Sequence, residues 1–113
     1  MIFWKNFIDD DIVRGIAIVF RGYKAEIHSH KEEEKYDLLK GEGILHLDGE
    51  EIIIKAPYKV VIPGGVRHAM LPISSYVILE YSFDTGPFDT IHYEWHGEKI
   101  ELKKSSCDLR ARL

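Results

Sequence analysis

Short apolar runs separated by turn residues make up most of the chain. Residues 15–20, 44–47, 59–62 and 76–83 form such runs, rich in β-branched or aromatic side chains, and a glycine, proline or aspartate follows each of them. About eight such runs, with breaks roughly every 8–12 residues, are typical of an antiparallel sandwich or barrel. The pattern therefore predicts an all-β domain.

Three segments carry more specific local predictions. Asp48-Gly49 lies between two apolar runs, and this pair strongly favours the tight turn of a β-hairpin. His96-Gly97-Glu98 predicts a second tight turn after a strand ending at Trp95. Residues 31–40 fit either a strand or two turns of helix ending at Gly41, but five charged residues at the start would leave that helix little apolar face. We therefore favour the strand.

Length and composition point to one globular domain. The chain has 113 residues, 45% of them hydrophobic and 30% charged, which suits a single core. We assign residues 1–102 to one domain and residues 103–113, where the strand pattern is lost, to a flexible C-terminal tail.

Charge and cysteine content limit the partners and the compartment. The net charge of −4 supplies no basic face for nucleic acid, and no apolar run approaches the roughly 20 residues that cross a membrane. We expect neither kind of partner. The lone Cys107 forms no internal disulfide, and no signal peptide is visible at residues 1–7, so we expect a cytoplasmic protein.

Histidine spacing supplies the candidate chemistry. His28 and His30 are two residues apart after an apolar residue, so in a strand both imidazoles project from one face about 6.6 Å apart. Glu34 would lie about 13 Å further along a straight strand. It can join the histidines only if the chain bends at residues 31–33 and Glu34 returns on a neighbouring strand. His68 follows Pro63-Gly64-Gly65 and comes from another part of the fold.

This spacing resembles the two motifs of the cupin superfamily. The matched positions of the first motif are Gly22, His28, His30, Glu34 and Gly41, and those of the second are Pro63, Gly65 and His68. Pro57 and Pro72 stand where the second motif has a glycine and an asparagine. Both departures fall on structural positions rather than on ligand positions.

The resemblance implies a small antiparallel jelly-roll barrel with one metal ion inside. The implied ligands are His28, His30, Glu34 and His68. Such a set suits divalent iron, manganese, nickel or zinc and does not choose among them. The resemblance lies nearest to small cupins of the sugar-phosphate isomerase type.

Two further side chains are candidate catalytic groups. Tyr36 shares a face with Glu34, so its hydroxyl is a candidate proton donor or ligand contact if Glu34 points inward. Glu80 lies on an alternating strand and would be catalytic if that strand turned it inward, because a buried carboxylate is costly without a partner.

These features favour a metal-dependent isomerase, lyase or hydrolase acting on a small polar molecule, such as a sugar derivative or a carboxylate. The alternatives are an iron-dependent dioxygenase and a small-ligand sensor without catalysis. We also expect a homodimer, because the chain has many aromatic residues for a barrel this small to bury. They are Phe3, Trp4, Phe7, Tyr93 and Trp95.

Overall fold

The computed structural model describes residues 2–8, 13–83 and 91–100, and these form ten β-strands. The strands are β1 Ile2–Ile8, β2 Val13–Phe20, β3 Ala25–Ser29, β4 Glu34–Lys40, β5 Glu42–Leu47, β6 Glu50–Lys55, β7 Tyr58–Ile62, β8 His68–Pro72, β9 Tyr76–Phe83 and β10 Glu94–Ile100. The all-β prediction is confirmed.

The strands form two five-stranded antiparallel sheets that face each other. The first sheet has the order β1-β2-β9-β4-β7, and the second has the order β10-β3-β8-β5-β6. Apart from the pairs β1–β2 and β5–β6, strands that follow one another in the chain, such as β3 and β4 or β7 and β8, lie in opposite sheets. This crossing between sheets is the jelly-roll arrangement that the resemblance to the cupins implies.

The core lies between the sheets and follows the alternation of side chains along each strand. Leu38, Val77 and Leu79 point inward from the first sheet, and Leu45 and Ile54 meet them from the second. All five are at most 6% exposed. Since alternate residues of a strand point to opposite faces, these apolar positions also fix which neighbours face inward.

Two local predictions are confirmed and one is wrong. Asp48 and Gly49 have φ of 48° and 88° in the turn between β5 and β6, as the hairpin requires. Residues 34–40 are a strand and not a helix. The expected turn at Gly97 is instead an irregularity inside β10, where the register with β3 shifts between Trp95 and Lys99. Gly97 has φ of 73°, the left-handed conformation that glycine supplies in many β-bulges.

The division into one domain and a C-terminal tail stays a prediction. Residues 101–113, which contain the predicted tail, lie outside the described residues. Within the described ranges, no helix has the length and apolar character needed to span a membrane.

Candidate metal centre

Three histidines converge inside the barrel: His28 on β3, His30 directly after β3, and His68 on β8. The ring centres of His28 and His68 are 4.3 Å apart, and those of His30 and His68 are 5.0 Å apart. One ligand atom from each histidine lies within 4.8 Å of the others. His30 and His68 are buried, whereas His28 is half-buried at a cavity. The three imidazoles could therefore hold one metal ion.

Strand pairing and one loop bring these side chains together. His28 on β3 is the direct partner of His68 on β8, so their rings start from adjacent strands. The loop at residues 63–65 crosses beside the end of β3, where the amide of Gly65 donates to the carbonyl of His30 at 2.7 Å. The loop therefore links the positions of His30 and His68.

Glu34 reaches the histidines from the opposite sheet. The sequence predicted its return on a neighbouring strand, but β4 pairs with β7 and β9 and not with β3. The bend at residues 31–33 carries the chain across the barrel, because β3 and β4 belong to facing sheets. Glu34 Oε1 lies 3.1 Å from Nε2 of both His30 and His68. Glu34 is 4% exposed.

Each imidazole is oriented by a backbone carbonyl two residues away. Nδ1 of His28 donates to the carbonyl of Glu26 at 3.1 Å. In the same way, Nδ1 of His30 donates to the carbonyl of Glu32 at 2.8 Å, and Nδ1 of His68 donates to that of Val66 at 2.9 Å. A carbonyl oxygen can only accept, so these bonds place the ring proton on Nδ1. The neutral rings consequently present the lone pair of Nε2, which is the form that binds metal ions.

This donor set fits a cation at its centre. When the rings are neutral, the carboxylate oxygen of Glu34 faces Nε2 lone pairs at 3.1 Å, and no hydrogen lies between these acceptors. Two ligands at right angles, each about 2.1 Å from an ion, are about 3 Å apart. A metal ion, or a proton on one imidazole, relieves the repulsion. The described residues therefore suit a divalent metal, whose identity the donor set leaves open.

Burial and charge act in opposite directions on the ionisable groups here. Burial, and then the neighbouring His68, lower the pKa of His28 to about 4, so this imidazole is neutral near pH 7. Burial also lowers the pKa of His30, but the hydrogen-bonding contact with Glu34 and its charge raise it above the usual value. The same contacts, from His30 and His68, outweigh burial and hold the pKa of Glu34 below its usual value.

A cavity of about 770 Å³ opens beside this centre, with His28, Glu34 and Tyr36 among its walls. Tyr36 is 8% exposed. Burial, and then the charge of Glu34, raise the pKa of Tyr36 well above its usual value. Its position on β4, two residues after Glu34, agrees with the sequence prediction that both side chains share a face.

The structure does not bring Glu80 to this cavity. Leu79 and Phe83 point into the barrel from β9, and alternation therefore turns Glu80 to the outer face of the first sheet. There it lines a separate groove with Lys35, Asp37 and Lys59, among other residues. The sequence analysis makes Glu80 catalytic only if it points inward, and in the structure it points outward.

Three aromatic residues at the cavity escaped the sequence interpretation. Tyr81 stands opposite Tyr36 in the register of β4 and β9. Tyr93 and Trp95 stack at 5.7 Å with an interplanar angle of 20°, and the ring centre of His28 is 5.1 Å from that of Trp95. The alternation after Leu79 could have identified Tyr81. From the sequence we expect Tyr93 and Trp95 at a dimer contact instead, because the pairing of the strand at residues 94–100 with β3 is not visible in the sequence.

Comparisons with known proteins identify the fold. Solved structures that resemble the chain include an RmlC-like cupin from Shewanella frigidimarina, with 17% identity, a TM-score of 0.70 and coverage of 79% of this chain and 80% of that one. A cupin 2 conserved barrel domain protein from Leptotrichia buccalis has 22% identity, a TM-score of 0.69 and coverage of 75% and 41%. A salicylate 1,2-dioxygenase from Pseudoaminobacter salicylatoxidans has 10% identity, a TM-score of 0.76 and coverage of 86% and 31%. The chain has the cupin fold.

One curated protein is more similar in sequence. Dimethylsulfoniopropionate lyase DddW from Ruegeria pomeroyi is 32% identical over 98 residues, which cover 81% of this chain. The chain spans 64% of the length of that relative. No family model matches the chain. These comparisons do not show the resemblance to sugar-phosphate isomerases, which stays a prediction.

Proposed function

We propose that this cupin-fold chain is a metal-dependent lyase that removes a leaving group from a small carboxylate. The observation that carries the proposal is the position of Tyr36, buried at the cavity beside Glu34 and the three histidines. The likeness to a dimethylsulfoniopropionate lyase supports this reaction class among those that the sequence left open.

The proposed metal ligands are His28, His30, Glu34 and His68. A divalent ion bound there would act as a Lewis acid on a substrate carboxylate and so acidify the adjacent carbon. The backbone carbonyls that hold each Nδ1 keep the imidazoles in place during this chemistry. Burial of His30, Glu34 and His68 excludes water from that side of the centre.

Tyr36 is the proposed proton carrier. In a β-elimination from a 3-substituted propionate, a base takes a proton from the carbon next to the carboxylate and the bond to the leaving group breaks. The electron pair of that broken bond leaves with the leaving group, and the electron pair of the C–H bond forms the double bond of the alkene. The base would be the phenolate of Tyr36, formed when its hydroxyl loses a proton to solvent; a divalent cation at the histidines would favour that negative charge against burial and Glu34, which raise the pKa of the hydroxyl. The phenolate oxygen takes the proton from carbon and becomes the neutral hydroxyl again, which then releases this proton to solvent. With dimethylsulfoniopropionate the products would be dimethyl sulfide and acrylate.

Elimination can be measured directly with dimethylsulfoniopropionate by gas chromatography of the dimethyl sulfide released. We expect turnover that requires metal, and we expect Tyr36→Phe to lower it by about 10²–10⁴-fold while metal content is unchanged. Tyr58→Phe changes a tyrosine that is 38% exposed on β7 and should behave as the unmodified protein. Full turnover in Tyr36→Phe would exclude the proposed proton carrier. No elimination from this or related 3-substituted propionates, with iron, manganese, nickel or zinc, would exclude the lyase.

An iron-dependent dioxygenase is the second candidate. Three imidazoles suit iron as well as the other divalent ions, and the fold is shared with salicylate 1,2-dioxygenase. This candidate predicts that the protein consumes oxygen when it is loaded with iron and not when it is loaded with manganese, nickel or zinc. Elimination without oxygen uptake would decide for the lyase.

A further inference from the structure

The cavity extends well beyond the metal centre. On β3 and just before it, its wall contains His28, Glu26 and Lys24, which are alternate residues. Because a strand rises about 3.3 Å per residue, the four residues from His28 to Lys24 cover about 13 Å. The cavity is therefore an elongated trough with the histidines at one end.

The facing wall of this trough is apolar. Ala17 and Val19 on β2 and Leu79 on β9 line it, and Met70 on β8 adds an apolar side chain beside β3 in the opposite wall. Each of these four side chains is between 4% and 7% exposed. Ala17 is the register partner of Leu79, so the two form one continuous surface across adjacent strands.

The volume of the trough exceeds the needs of a very small substrate. Cavities of about 300–1,000 Å³ typically enclose ligands of drug size, and this one has about 770 Å³. A short carboxylate held at the histidines would leave most of this volume unfilled, whereas an apolar ligand segment would remove its own surface from water there. Since burying apolar surface is favourable, a ligand that covers this wall binds more tightly than one that does not.

We propose that the trough takes an amphipathic carboxylate, with the carboxylate at the histidines and an extended apolar segment along Ala17, Val19 and Leu79. This inference rests on the proposed function, because the leaving group would carry the apolar segment. Beyond His28 the wall on the second sheet becomes charged, with Glu26, its register partner Lys99, and then Lys24. The segment thus ends within a few methylene groups, where the wall becomes charged.

A series of unreactive n-alkyl carboxylates tests the length of the apolar segment. Titration calorimetry of the protein as purified would compare propionate, butyrate, hexanoate and octanoate. Because each buried methylene contributes about 0.8 kcal/mol, affinity should rise by up to about fourfold per methylene. Affinity that is the same for propionate and octanoate would overturn the inference.

Paired variants on β9 test where the segment binds. Leu79 faces the trough and the adjacent Ile78 faces outward, so Leu79→Phe fills the trough and Ile78→Phe does not. Octanoate should bind Leu79→Phe no more tightly than butyrate, whereas Ile78→Phe should keep the full rise with chain length. Should Leu79→Phe fail to fold, Ala17→Val narrows the trough from the adjacent strand β2, with Ile18→Val as its outward control. Octanoate binding that is unchanged in the trough variant would overturn the assigned position.

The two proposals fail in different ways. Elimination from dimethylsulfoniopropionate with no dependence of binding on chain length would keep the lyase and remove the amphipathic ligand. A clear rise of affinity with chain length, abolished in Leu79→Phe, would support the amphipathic ligand even if no elimination were found.

Discussion

The side chains of the candidate centre are oriented by the main chain beside them. Each histidine donates Nδ1–H to a carbonyl two residues earlier or later, so its tautomer and ring direction are set before any ion arrives. Such preorganisation lowers the entropic cost of binding an ion. The centre should therefore retain metal tightly, and loss of one imidazole should cost more than a change in its surroundings.

Replacing His68 tests the assignment of the metal ligands. We expect His68→Ala to weaken metal binding by more than the roughly 10–100-fold typical of an outer-shell change, because a ligand is removed. Elemental analysis after purification without a metal-affinity step measures this. His46→Ala is the matched control, since His46 alternates with inward Leu45 and Leu47 on β5 and is not in the cluster. Stoichiometric metal in His68→Ala would show that the site is wrongly assigned.

Glu34 should matter less for metal retention than any histidine if it only completes the ligand set. Glu34→Gln keeps an amide oxygen in place but removes the negative charge that faces His30 and His68. We therefore expect a smaller loss of affinity than in His68→Ala, measured by competition with a chelator. A loss as large as that of His68→Ala would make the carboxylate charge the main determinant of binding.

The strands place the ligands through their pairing and not through their order in the chain. β3 and β4 are consecutive, but they lie in facing sheets. Only residues 30–33 connect the end of β3 to the start of β4. The loop between β7 and β8 packs against this short connection. A Cβ on Gly64 would collide with the carbonyl oxygen of Lys31. This close approach needs a residue without a side chain.

Gly64→Ala should consequently disturb both the fold and the centre. Overpacking of this kind costs about 1–3 kcal/mol of unfolding free energy, or several degrees in the melting temperature. The shift should also weaken metal binding, because the adjacent Gly65 is hydrogen-bonded to His30. Gly49→Ala, in the hairpin where a Cβ meets open space, should lower the melting temperature but leave metal binding unchanged. Equal metal affinity in both variants would mean that the loop does not position the ligands.

At the scale of the whole molecule, the aromatic residues divide between the cavity and the surface. Tyr93 is half-buried in the cavity wall, whereas Phe3 on β1 is 57% exposed and Trp95 at the cavity is 60% exposed. The side chains of Trp4 and Phe7 lie outside the described residues. β1 is an edge strand of the first sheet, and exposed edges with apolar side chains are commonly covered by a partner.

The homodimer stays a prediction, and it can be tested by measuring mass in solution. We expect light scattering to give twice the mass of the chain, and we expect Phe3→Ser to shift the protein toward the monomer. Tyr58→Ser replaces an exposed aromatic residue on the opposite edge strand, β7, and should leave the dimer intact. A single-chain mass for the unmodified protein at micromolar concentration would contradict the prediction.

The sequence by itself determined what depends on alternation within a strand. It placed His28 and His30 on one face, put Tyr36 on the face of Glu34, and separated Glu80 from Leu79. The period of two along a strand is local, so a few residues are enough to define it. The resemblance to the cupin motifs then joined His68 to this set, and the three histidines do meet in the structure.

Only the tertiary structure decided which strands face each other. It set β4 in the sheet opposite β3, turned Glu80 away from the histidines, and brought Tyr81, Tyr93 and Trp95 to the cavity. It also replaced the turn expected at Gly97 with an irregularity inside β10, where the register with β3 shifts. Strand partners are chosen by packing between segments distant in sequence, and the alternation within one strand is the same whichever sheet it joins.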